Sequence, residues 1–181
     1  MNTQAINKRI RLIMDLRNKG ITDTNVLSAI ERVPRDEFVP AHSQDQAWED
    51  MALPIGLGQT ISQPFVVATM TQALKLSDRD KVLEIGTGCG YQAAVLARLC
   101  RRVYTIERHK HLSKDAEKRM EGLRIRNVTA IAADGMKGWP TISGIDQAPF
   151  DKIIVTAAAR SKPPQALLDQ LKVGGLMIIP V

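Results

Sequence analysis

From Lys81 onward, short runs of aliphatic and β-branched residues alternate with helix-length segments. In order they are KVLEIG, residues 91–100, RVYTIE, residues 110–122, NVTAIAAD, FDKIIVTAAA, residues 163–171 and GLMIIPV. A strand followed by a helix and another strand of the same sheet implies parallel pairing, and near-continuous apolar strands imply a sheet covered on both faces. The pattern therefore predicts a doubly wound α/β fold whose ligand lies beyond the carboxyl ends of the strands, near the switch in strand order.

The preceding segment reads differently. Residues 3–18 carry Ile6, Ile10, Ile13, Met14 and Arg17 at helical spacing, which predicts an amphipathic helix ending near Gly20. Thr22 or Asp23 is placed to cap a second helix to about Arg32, after which VPRDEFVP breaks regularity with two prolines. The stretch 41–63 is polar and Gly-rich, and is expected to be a loop, functional or disordered at that length, rather than a packed element. Pro64 suits the first turn of a helix carrying Val67, Met70, Thr71 and Leu74. The chain is thus divided into a cap and active-site segment, 1–76, and a ligand-binding core, 77–181.

The turn after the first core strand is EIGTGCGYQ, with Gly86, Gly88 and Gly90 directly before a helix. Glycines let the backbone turn sharply and let a ligand approach the helix N-terminus. Glu107 follows 21 residues after Gly86, at the end of the second core strand, where a carboxylate can accept from both ribose hydroxyls. A dinucleotide turn would place a third glycine where Tyr91 stands, and Glu84 just before the turn would repel phosphate. S-adenosylmethionine, with a sulfonium, an ammonium and no phosphate, is the expected cofactor. Asp134-Gly135 ends the third core strand, where Asp134 could take an adenine amino group or serve only as a turn residue.

The runs ALPIGLGQTISQPFVVATM, VLEIGTGCGYQ, RVYTIER, AADG, FDKIIVTAAA and QLKVGGLMIIPV resemble the protein-L-isoaspartate O-methyltransferases along nearly the whole chain. GQTISQP is the specific element, since the glycine turn alone indicates only a class I methyltransferase. The resemblance implies a Rossmann-like methyltransferase fold and methyl transfer from S-adenosylmethionine to the α-carboxylate of L-isoaspartyl residues in damaged proteins. The ester then closes to a succinimide that reopens partly to aspartate. It also implies Ser62 as the active-site residue, and Thr60, Ile61, Ser62, Gly86, Gly88, Glu107, Arg108, Asp134 and Gly135 as cofactor-binding positions. A carboxylate acceptor is already ionised at neutral pH, so Ser62 is cast as an orienting hydrogen-bond donor, with capping of the Pro64 helix as its other possible use. His42 and the Trp48 region are read as packing or lid residues. Family members continue into an antiparallel strand pair absent here, so the fifth core strand is expected to have a free edge.

Composition narrows the alternatives. Only 4% of residues are aromatic, few for stacking nucleobases, although the net charge is +6 and its excess lies mostly between Arg101 and Arg126. A methyltransferase for RNA or a small molecule, and a non-catalytic cofactor-binding protein, are the competing readings. No nucleic-acid or membrane partner is expected. Cys89, Cys100 and the three histidines lack the spacing of a metal site. No run reaches membrane-spanning length and no signal peptide opens the chain, so a cytoplasmic protein is expected.

Overall fold

The computed structural model describes residues 3–156 and 162–180. Helices α1 (Thr3–Asn18) and α2 (Thr24–Arg32) open the chain. Asp23 caps α2, its carboxylate accepting from the backbone of Asn25 and Val26. Gln72 Oε1 accepts from Thr22 N and Asp23 N at 2.9 and 2.8 Å, tying this cap to the later helix α3 (Pro64–Ala73). A 3-10 turn, Arg35–Phe38, and a second, Ala41–Gln46, follow α2.

Of the expected apolar stripe of α1, Ile13 packs against the core but most of the rest does not. Ile6, Ile10 and Met14 are 37, 47 and 59% exposed, while Leu12 and Leu16 enter the core. Leu12 and Leu16 are themselves one turn apart, so the helix offers two apolar stripes and periodicity alone does not choose between them. The stretch 41–63 is likewise more ordered than its composition suggests. It contains an antiparallel hairpin, β1 (Leu53–Gly56) and β2 (Gln59–Ile61), and buries Ser43, Ala47, Trp48, Leu53 and Ile61. Arg9 lies over the Trp48 ring at 4.5 Å, whereas His42 is exposed.

Beyond residue 77 the expected alternation holds: β3 (Lys81–Ile85), α4 (Tyr91–Ala97), β4 (Arg102–Glu107), α5 (Lys110–Gly122), β5 (Val128–Ala132), β6 (Phe150–Val155), α6 (Gln165–Gln170) and β7 (Leu171–Ile178). The tail of FDKIIVTAAA, residues 157–159, and the final Val181 lie outside the described residues. The sheet order is β5-β4-β3-β6-β7, every pairing is parallel, and β7 pairs with β6 alone. The direction of winding switches between β3 and β6.

Period-two alternation divides the strand residues between two apolar clusters. Val82, Val103 and Ile154 join a cluster with residues of α1 to α5, so the N-terminal helices and the sheet share one core. Leu83, Ile85, Ile106, Ile153 and Val155 face the opposite side, with Trp139, Phe150 and Leu167. No helix among the described residues is long and apolar enough to cross a membrane.

Candidate active site

A cleft opens at the carboxyl ends of β3 and β4, beside the topological switch. The glycine turn forms one wall. Gly86, Gly88 and Gly90 have φ of 99, 53 and 92°, and Gly90 leads directly into α4. At Gly88 the positive φ is combined with a function, because its N–H points to Glu107 Oε2 at 2.9 Å. The other oxygen of Glu107 accepts from His109 N at 3.0 Å. Both hydrogen bonds hold a buried carboxylate against the cleft floor.

The β1–β2 hairpin and the residues after it form the second wall, bringing Gln59, Thr60, Ile61 and Ser62 opposite Gly86 to Cys89. The Ser62 hydroxyl has no hydrogen-bond partner among the described residues and does not cap α3. Gln63 is the residue at the cap position and its side chain makes no capping bond. A distant residue does that work instead: Asp50 Oδ1 accepts from Phe65 N at 2.7 Å, and Asp50 O accepts from Gln63 Nε2 at 3.0 Å. The serine is thereby left free to face the cleft.

The expected site residues divide into two groups. Thr60, Ile61, Ser62, Gly86, Gly88 and Glu107 line one cleft. Arg108, Asp134 and Gly135 do not line it, and stand further along the same sheet edge. Arg108 is exposed, and its Nε donates to His109 Nε2 at 3.1 Å. Asp134 follows β5, the neighbour of β4, and its Oδ1 accepts from Met136 N at 3.1 Å in a local turn. Gly135 permits a close approach, since a Cβ there would stand 2.6 Å from Ile85 Cγ2.

Glu84 has a different part from the one its sequence position suggests. It is wholly buried and absent from the cleft wall. Its Oε2 accepts from Thr105 Oγ1 at 2.6 Å while Oε1 has no partner. Burial pushes its carboxyl up to about 8, so at neutral pH it is mostly uncharged and does not select a cationic ligand. The cleft's own acidic group is Glu107. Glu84 instead ends a buried chain, for Thr105 Oγ1 also meets Thr87 Oγ1, at 2.7 Å, and Thr87 lines the cleft.

Sequence reasoning passed over several lining residues. Thr156 follows β6 at the switch point, and its hydroxyl donates to the carbonyls of Ile85 and Gly86, at 3.0 and 2.6 Å. A polar residue ending the strand that flanks the switch was the available signal. Gln92 on α4 donates to Thr71 Oγ1 on α3 at 2.9 Å, a buried link between cap and core.

Comparison with known proteins agrees with this architecture. Residues 7–181 match the family model described as Protein-L-isoaspartate(D-aspartate) O-methyltransferase (PCMT). A protein-L-isoaspartate O-methyltransferase of Parvibaculum lavamentivorans is 64% identical over 174 residues, which are 96% of this chain and 76% of that protein. One from Rhodospirillum centenum is 58% identical over 181 residues, covering this whole chain and 79% of the relative. A solved protein-L-isoaspartate O-methyltransferase superposes with a TM-score of 0.85 at 31% identity, over 95% of this chain and 55% of that one. A putative Plasmodium falciparum enzyme of the same name, solved in complex with S-adenosyl-L-homocysteine, shares the fold with a TM-score of 0.76 at 24% identity, over 99% of this chain and 84% of that one. With a glycine turn, a carboxylate and a free serine converging where such a sheet places its ligand, and a match running over nearly the whole chain, the protein belongs to the protein-L-isoaspartate(D-aspartate) O-methyltransferase family.

Proposed function

We propose that this chain methylates the free carboxylate of L-isoaspartyl residues in damaged proteins, using S-adenosylmethionine, with Ser62 as the residue that orients the acceptor. The observation that carries this reading is Ser62 on the hairpin wall of the cleft, opposite the glycine turn, with a hydroxyl that has no hydrogen-bond partner among the described residues.

The donor set fits the cofactor. Gly86 and Gly88 present backbone without side chains, Glu107 supplies acceptor oxygens for a ribose, and Thr60 and Ile61 close the opposite side. Asp134 keeps one carboxylate oxygen outside its local turn, available to an amino group, with Gly135 and Arg108 beside it on the same edge. When bound, S-adenosylmethionine supplies a methyl group made electrophilic by the sulfonium it sits on. The protein's task is then alignment. An isoaspartyl carboxylate is ionised at neutral pH, so the attacking oxygen needs no base, and no histidine lines the cleft among the described residues. Ser62 Oγ–H donates to that carboxylate and fixes which oxygen points at the methyl group. The buried floor around Glu107, Tyr91 and Val67 keeps bulk water away.

In this division of labour, 1–76 provides the acceptor side and 77–181 the cofactor side. The test is transfer of a labelled methyl group to matched isoaspartyl and aspartyl peptides. Labelling of the isoaspartyl peptide alone is expected. Equal labelling of both, or transfer to RNA and to neither peptide, would overturn the assignment.

A further inference from the structure

Arg35 is fully buried, yet it makes no ion pair among the described residues. Its Nη2 donates to Met51 O at 3.1 Å, and Nε and Nη1 have no hydrogen-bond partner among the described residues. The guanidinium carbon lies 4.9 Å from the centroid of the Tyr91 ring, which also meets Phe38 in an edge-on contact at 5.5 Å. A buried cation with two unsatisfied donors is an expensive way to fill space, and an apolar side chain of similar volume would fill it at lower cost. What an apolar chain could not do is hold both partners. A guanidinium holds a hydrogen bond and a cation–π contact on two different groups at once, over a longer reach and with more fixed geometry than an ammonium.

The two partners belong to opposite walls of the cleft. Met51 leads into the β1–β2 hairpin that carries Thr60, Ile61 and Ser62, and Tyr91 is the first residue of α4 after the glycine turn and lines the cleft itself. The dipeptide gripped by Arg35 also includes Asp50, the acceptor for Phe65 N just beyond Ser62. Burial lowers the affinity of Arg35 for its proton and raises that of Tyr91, whose phenol is pushed up to about 12, so the pair persists at neutral pH as cation and neutral ring.

We propose that Arg35 is a positioning residue for methyl transfer, setting the spacing between the Ser62 wall and the glycine-turn wall by holding Met51 O and the Tyr91 ring at once. It rests on the acceptor-orienting role assigned to Ser62. Arg35 touches neither the acceptor nor the cofactor in this account, and acts through the hairpin.

The test pairs Arg35→Met with Arg35→Lys. For Arg35→Met, kcat on isoaspartyl peptide is expected to fall about 10- to 100-fold, the penalty of a misaligned acceptor, while S-adenosylhomocysteine affinity by calorimetry changes less than about threefold. Hydrogen exchange should quicken over residues 51–63 and stay as in wild type over the strands at 81–85 and 102–107. Arg35→Lys should recover part of the rate. A kcat within about twofold of wild type, or unchanged exchange over 51–63, would overturn the proposal. If wild type leaves isoaspartyl peptide unlabelled, the functional reading fails by itself and the exchange comparison still decides the role of Arg35. If Arg35→Met does not fold, Arg35→Lys carries the test, and a wild-type kcat with wild-type exchange in that variant would overturn the role.

Discussion

The two walls of the cleft are held by different means. The glycine-turn wall rests on the sheet: Gly86 N donates to Ile106 O, Gly88 N to Glu107, and Thr156 secures the carbonyls of Ile85 and Gly86. Its restraints come from the ends of three adjacent strands. The hairpin wall has two short strands paired only with each other, and takes its position from side-chain bonds at its two flanks: Arg35 to Met51 O, Gln63 to Asp50 O, and Asp50 to Phe65 N. Damage to the first wall should therefore appear as lost cofactor binding, and damage to Ser62 or to the residues that position it as lost turnover with binding largely preserved.

The largest effect is expected at Gly88. Gly88→Val forces a β-branched residue to φ of +53° and puts side chain into the cleft, so S-adenosylhomocysteine binding should vanish from calorimetry. Retained binding would mean that the glycine wall does not hold the cofactor. Next comes Ser62→Ala, expected to slow methyl transfer about 10- to 1000-fold while leaving cofactor affinity close to wild type. A parallel loss of binding would erase the distinction between the walls, and an unchanged rate would remove Ser62 from the mechanism.

A stability effect follows at Glu84, beneath the glycine wall. Its folded pKa of about 8 exceeds the ordinary carboxyl value of 4.5. Its protonated form therefore supports the fold fully below pH 4.5, and that support is lost as pH rises towards 8 and stays lost above it. Over that window wild type should lose stability relative to Glu84→Gln by up to about 1.4 kcal/mol per pH unit, measurable by urea denaturation at pH 5, 6.5 and 8. A difference independent of pH would show that Glu84 does not titrate there. The smallest effect is expected for Asp50→Ala, which leaves Phe65 N without its acceptor and should cost about 1 to 2 kcal/mol. The accompanying ion pair with Lys19, 2.6 Å but half-exposed, adds little. Wild-type stability in Asp50→Ala would show that water replaces the carboxylate at the helix end.

The difference between the walls also explains what the sequence made legible. Strand-helix alternation, the glycine turn and Glu107 are local patterns with a fixed geometric meaning, and all stand where the spacing put them. The hairpin escaped notice because its strands have four and three residues, and its tip, Gly56, Leu57 and Gly58, takes three successive positive φ angles. Such a turn looks like loop composition until the pairing of Leu53 with Ile61 is known. Arg35 was hidden for a related reason. Between two prolines it reads as part of a polar break, and only the tertiary fold places it on Tyr91. Glu84 shows the reverse case, a residue whose position in the motif was evident but whose charge was cancelled by burial that spacing does not reveal.

Glu107 carries a final consequence. A carboxylate offers roughly four lone-pair directions, two on each oxygen. Here each oxygen already accepts one amide proton, from Gly88 on one side and His109 on the other, and each can accept one more. One further donor on each oxygen is the number that the cis-diol proposed for this site would supply. Because these two hydrogen bonds already restrain the side chain through all three of its torsions, little rotamer entropy is lost when it accepts further donors. An amide in the same place would have to turn its NH2 towards one of two N–H groups, breaking a bond that the carboxylate keeps.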